Sequence, residues 1–268
     1  KSISNCDIGG LDMLGGRYDL ATKNIPAQYA TQVDVIKHHR HRKIDADEES
    51  DNVAINVKLS KKAKFKPFGQ PVAGVGWRED EPLYAIGITE MMFTDDFQLL
   101  GSAKWSNHGN FGSYDMIDHY GNNAISSLAT SKLAEWTQVG SDVGEAIYKT
   151  NGFVTLNGIQ KLDSVRQIRV NADYTYEHAT SSASTESYYF AGGDIIHLAE
   201  TTNPLTRTHR PMLEMKFENN GSDFYLSETF NASAQFQRNE NDVLSAAGLL
   251  ATQQRDATAI DLNNHLWG

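Results

Sequence analysis

The most reactive-looking stretch of the chain is His38-His39-Arg40-His41-Arg42-Lys43, followed within a few residues by Asp45 and Asp47. Imidazole is a common transition-metal ligand, and histidines two apart on an extended strand share a face, so His39 and His41 form a candidate pair. Such a site needs a third ligand, which Asp45 or Asp47 would have to supply. The competing reading is a solvated, partly cationic loop. The one cysteine, Cys6, has no CxxC or Cys/His partner spacing and reads as a buried residue. Hydrolase elbows, zinc-protease helices, P-loops and dinucleotide-binding glycine motifs are missing from the sequence. Its carboxylates offer no evident acid–nucleophile pair. Tyr174, Tyr176, Tyr188, Tyr189, Phe190, Trp77 and Trp105 could stack on sugars, or lie at strand ends as membrane-interface aromatics. The expectation is therefore a non-enzyme with no catalytic residue, no cofactor, no metal and no assignable substrate-binding residue.

The elements that would hold these residues are strands. Ile168, Val170, Ala172, Tyr174 and Tyr176 alternate with Gln167, Arg169, Asn171, Asp173, Thr175 and Glu177. Leu213, Met215 and Phe217 alternate with charged residues and run into Asn219-Asn220-Gly221, a hairpin signal. The return strand sets Phe230, Ala232, Ala234 and Phe236 against Asn231, Ser233 and Gln235, and Phe97–Ser106 follows the same rule after Thr94-Asp95-Asp96. Several of these runs reach the roughly 9–11 residues that cross a bilayer at a tilt. Charged polar faces suit a wet lumen better than a packed core. Asn107–Asn123 and His178–Ser187 read as long loops, and 124–147 as either a helix or a strand.

Composition narrows the class. The 268 residues carry 24 Lys/Arg against 34 Asp/Glu, a net charge of −10, with 40 % apolar residues. The mean hydropathy is −0.48. Such a chain can fill a core but has no basic excess for nucleic acid. No apolar run of about 18 residues offers a membrane-crossing helix, which leaves a β-barrel open because barrel strands alternate.

The opening residues carry the most specific pattern. Ile8-Gly9-Gly10-Leu11-Asp12 leads to Gly15-Gly16-Arg17, then Ile25-Pro26, then Gln32-Val33-Asp34-Val35-Ile36, and finally Ala54-Ile55-Asn56-Val57-Lys58-Leu59. This order resembles the second half of the plug of a TonB-dependent outer-membrane receptor, with its "I-D-G", "I-P … I-E-V-L" and "V-I-N-I-x-T-K" segments. The glycine-rich loop usual after "E-V-L" is replaced here by the His/Arg run and the acidic Asp45–Asp51. The resemblance implies an all-β fold, a partial transmembrane antiparallel β-barrel (66–268) preceded by part of an α+β plug domain (1–65). It also implies a chain that opens midway through the plug and holds about eight of about 22 barrel strands.

The function so implied is energised import of a nutrient (glycan, peptide or metal chelate) across a bacterial outer membrane. Implied partners are outer-membrane lipid, a TonB energy-transducing complex acting through a missing N-terminal segment, and a surface lipoprotein lid. In that setting Arg17 would pair with a lumen carboxylate and hold the plug, or stay an ordinary surface arginine. The His/Arg run would meet lumen acids, with a charge responding at about pH 6 to 7. Asp12 is assigned no ligand. Two other readings stay open: a receptor-like structural subunit of an outer-membrane complex, and a soluble all-β carbohydrate-binding protein.

Overall fold

Alternating strands with one charged face need something polar to cover that face, and the computed structural model shows what does so. It describes residues 3–45, 49–61, 63, 67–108, 148–180, 182–191, 194–245 and 248–268. The protein is all-β. A small sheet is built from β1 (Ile3–Ile8), β2 (Ala30–Lys37) and β3 (Val53–Leu59), in the order β1-β3-β2. β1 lies parallel to β3 and β2 antiparallel to it, with Val33 opposite Val57 and Val35 opposite Ile55. The "α+β" expectation for this part is corrected. Its helical content among the described residues is one turn, α1 (Asp19–Thr22), and two 3-10 turns. The Gly9–Gly16 stretch coils too tightly to propagate a helix, with Gly9, Gly10 and Gly15 at positive φ.

The large sheet runs through β4 (Phe68–Arg78), β5 (Glu81–Phe93), β6 (Phe97–Ser106), β7 (Tyr148–Lys161), β8 (Arg166–Thr180), β9 (Ala183–Ala191), β10 (Asp194–Asn220), β11 (Tyr225–Ser245) and β12 (Gly248–Trp267). Neighbours in sequence pair antiparallel, and β8 and β9 hold one continuous register against β10. Of His178–Ser187, expected as a loop, His178–Thr180 end β8 and Ala183–Ser187 open β9. The serine and threonine residues that suggested a loop are compatible with an extended ladder. Of the expected Asn107–Asn123 loop only Asn107 and His108 are described, and 124–147 lies outside the described residues. The sheet is open, since β4 and β12 are its two ends and do not pair with each other. The near-end turns are short. Thr94 N–H donates to the Phe97 carbonyl at 2.8 Å, and Gly221 N–H to the Phe224 carbonyl at 3.0 Å. In the third, Asp163 accepts from the N–H groups of Val165 and Arg166 at 2.9 and 2.8 Å. Those bonds hold its carboxyl down at about 2.

The two sheets share one core. Ile8, Leu11, Met13, Leu14 and Leu20 from the small unit pack with Met91, Phe93, Leu100, Phe153 and Ile159 from the large sheet. Phe68 bridges the parts, 4.7 Å from the Tyr29 ring and 5.8 Å from that of Phe93. Away from this patch, the small unit lies against polar side chains.

Candidate functional site

The seam between the two sheets is where the charged faces meet. The loop after β1 ends in an Asx turn, with Gly15 N–H donating to Asp12 Oδ1 at 2.9 Å, and this turn carries Arg17 onto the large sheet. Gly15 is needed for its backbone conformation. Its φ of +59° is a backbone conformation that L side chains rarely adopt, while the Arg169 guanidinium lies at ordinary contact distance from where a Cβ would stand.

Three polar clusters hold the seam. Arg17, 5 % exposed, donates to Asp173 Oδ2 at 2.5 Å and to Asn157 Oδ1 at 2.9 Å. The Thr155 hydroxyl donates to the other Asp173 oxygen, and Asn157 donates to Thr155 at 2.8 Å. Both oxygens of the buried carboxylate are thereby satisfied. Arg169 reaches back from β8 to the Asp12 carbonyl at 3.2 Å and to Glu214 Oε1 at 3.0 Å, which Asn171 also approaches at 3.1 Å. Nearest the turns, His41 Nε2 sits 2.5 Å from Glu218 Oε1. Gln167 and Tyr225 donate to the same carboxylate at 2.7 and 3.0 Å. Asn220 ties the backbone on either side of this contact, donating to the His41 carbonyl and accepting from Lys43 N–H.

Between the clusters lies a polar cavity of about 240 Å³ bounded by Asp12, Arg17, His41, Arg169, Glu214 and Lys216 among others. Two buried atoms at its wall, Arg169 Nε and Asn171 Oδ1, have no hydrogen-bond partner. The field of the seam reaches into β1. Burial, reinforced by Asp12 and opposed by His41, lifts the Asp7 carboxyl to about 6. Burial likewise raises the Cys6 thiol to about 11, which keeps it protonated and unreactive.

The sequence candidates separate in space. Arg17 takes the buried-pair reading and His41 meets a buried acid. His39 instead turns away from the seam acids, its pKa lowered by burial and by His41. His38 adopts φ 57° and bonds the Ser50 carbonyl at 2.8 Å. The three histidines thus have three different surroundings, and no group of three His, Cys, Asp or Glu able to hold a metal exists among the described residues. Asp173, Glu214 and Glu218, the acids that receive the small unit, were not singled out from sequence. The signal available was their place on the polar side of alternating strands that also carry Arg169 and Lys216.

The opposite face of the large sheet is apolar, and no described residue covers it. Ile86, Val154, Leu156, Met215, Ile260, Leu262 and Leu266 stand on it between 44 % and 66 % exposed. Along β8 the apolar face runs from Ile168 to Tyr176, and the facing β10 stretch runs from Phe217 to His209. Aromatic residues border it. At the far end the Trp105 ring stacks on Tyr176 at 5.2 Å across Gly152, and Tyr176 meets His209 at 5.0 Å. At the near end stand Phe217 and Phe230.

No protein-family model matches the chain, and no curated protein does. Among solved structures the chain is similar to the ferric-catecholate import receptor Fiu from E. coli K12 in its open form. The TM-score is 0.19 and the identity 8 %, over 99 % of this chain and 60 % of that one. The chain thus spans 60 % of the length of that receptor. With a likeness of this size, the functional reading rests on the geometry above.

Proposed function

We propose that the chain is part of a plugged transmembrane β-barrel of a bacterial outer membrane, of the TonB-dependent receptor kind, that imports a nutrient such as a glycan, a peptide or a metal chelate. The observation that carries this reading is the inverted polarity of the large sheet. A soluble sheet buries its apolar face and wets its polar one. Here the small unit covers much of the polar face and no described residue covers the apolar one, which aromatic residues border. Lipid is the solvent that favours this arrangement.

The apolar stretch on β8 spans nine residues, Ile168 to Tyr176. At about 3.3 Å per residue and about 40° of tilt this is roughly 20 Å of height, close to the apolar band of outer-membrane barrels. An eight-stranded barrel has room only for side chains, so a sheet carrying a folded unit on its inner face needs more strands to close. Closure is also required because lipid cannot satisfy the backbone of an open edge. In this reading residues 1–65 are plug and 66–268 barrel. The seam pairs hold the plug until a TonB-type complex, acting through an upstream segment, strains them apart. The polypeptide carries out no covalent step.

The test is made on the intact gene product in cells. Fractionation places it in the outer membrane, and loss of the gene abolishes TonB-dependent uptake of one nutrient class. A protein recovered in aqueous solution without detergent would refute the membrane reading. An outer-membrane protein whose loss leaves uptake of every nutrient class unchanged would replace import with a structural role.

A further inference from the structure

At the far border of the apolar face the outward residues change from aromatic to basic in a single step of the ladder. Tyr176, His209 and Phe236 stand directly opposite one another on β8, β10 and β11. Two residues on, His178, Arg207 and Arg238 form the next outward row in the same register. Directly opposed side chains have Cβ atoms about 5 Å apart, and like charges at that spacing repel. The row is only partly neutralised. Arg238 Nε holds Glu240 at 2.7 Å and reaches Asp256 at 3.9 Å. The Arg207 side chain makes no hydrogen bond or ion pair among the described residues, and His178 Nε2 is buried without a partner among them. The nearby acid Glu177 lies on the other face of β8, engaged with Arg210 at 3.5 Å. Glu240 and Asp256 balance Arg238, so the row leaves the Arg207 guanidinium as a cation without a counter-ion among the described residues, on the rim of the apolar face.

We propose that His178, Arg207 and Arg238 form a binding site for the phosphate headgroup of an anionic lipid whose acyl chains lie along the apolar face below. This inference rests on the membrane reading. Guanidinium offers paired N–H donors that match phosphate oxygens, and the aromatic row beneath sits at headgroup depth. Charge complementarity and continuity with the aromatic border select a lipid over a free anion, which would gain nothing from that border.

The experiment uses the intact protein in a mild nonionic detergent. Native mass spectrometry follows retention of dimyristoyl phosphatidic acid and dimyristoyl phosphatidylcholine at equal concentration. Wild type retains the phosphatidic acid preferentially. Arg207→Gln weakens that retention about tenfold, the size of one charge-assisted contact, Arg207→Lys weakens it less, and Asp256→Asn strengthens it. A heat-dependent gel shift confirms that each variant is folded. Equal retention by wild type and Arg207→Gln, equal retention of the two lipids by wild type, or displacement of the lipid by equimolar inorganic phosphate would each overturn the site. A protein that needs no detergent refutes the membrane reading itself, a result distinct from a detergent-requiring protein without headgroup preference.

Discussion

Replacing Arg17 by Met keeps most of the side-chain volume and removes the charge. In the variant the Asp173 carboxylate, whose side chain is 4 % exposed, keeps only Thr155 as a partner. Asn157 Oδ1 also loses its donor. Removing one member of a buried ion pair costs about 3–5 kcal/mol, because the other charge stays desolvated. The pair joins two sheets, so the cost falls on their attachment and leaves each sheet's own ladder intact. Opening of the small unit away from the large sheet should then be favoured by a factor of about 150 to several thousand. Amide hydrogen exchange on the intact protein in detergent measures this directly. Protection should fall across β1 and the Gly9–Gly16 loop while β7 and β8 amides are unchanged. The double variant Arg17→Met/Asp173→Asn should recover much of the loss, since no bare charge remains. Unchanged exchange in β1 of Arg17→Met would refute the argument that this pair pins the unit.

Four further outcomes follow from the same geometry. Asp7→Asn should stabilise β1 at neutral pH. Its carboxyl titrates at about 6 when folded, above its ordinary 3.8, so the native state holds the extra proton and stability falls as pH rises between those values. That rise corresponds to about 3 kcal/mol at most, and exchange compared at pH 5 and pH 7.5 should show wild type losing protection while Asp7→Asn does not. Glu218→Gln removes the charge and one of the two acceptor oxygens that gather His41, Gln167 and Tyr225, and limited proteolysis should then cut within 38–45 faster than in wild type. Gly152→Ala places a methyl where the Trp105 indole lies; the ring must leave Tyr176, losing about 0.5–1.5 kcal/mol of stacking, read as a shift in tryptophan emission and in the urea midpoint. On the membrane reading Leu213→Arg on the apolar face should cost about 2–4 kcal/mol, whereas Gln253→Lys, exposed on the polar face opposite Asn241, should leave the unfolding free energy in urea within about 0.5 kcal/mol of wild type.

Strand identity was legible wherever alternation ran long. Ile168–Tyr176 and Leu213–Phe217 form ladders with the expected face outward, because a period of two in hydropathy is a direct image of the pleat. Arg17 was legible only as an alternative, since one sequence cannot say whether a carboxylate 156 residues away faces it. His178–Ser187 misled because polar residues beyond an apolar band look the same in a loop and in an extended ladder. The α+β expectation for residues 1–65 gives way to a mostly β unit, whose only α-helix among the described residues is one turn. Glycines at positive φ and three short strands leave that segment no room for a full helix.

By itself the sequence determined the alternation, the short near-end turns and the lack of a membrane-crossing helix, all of which depend on residues close along the chain. Tertiary structure alone decided which polar residues became partners. Asp173, Glu214 and Glu218 are unremarkable carboxylates until strand register places them opposite Arg17, Arg169 and His41. The row His178–Arg207–Arg238 likewise exists only because three strands share one register. Register is a property of paired strands, and a one-residue slip would turn every one of these side chains to the other face.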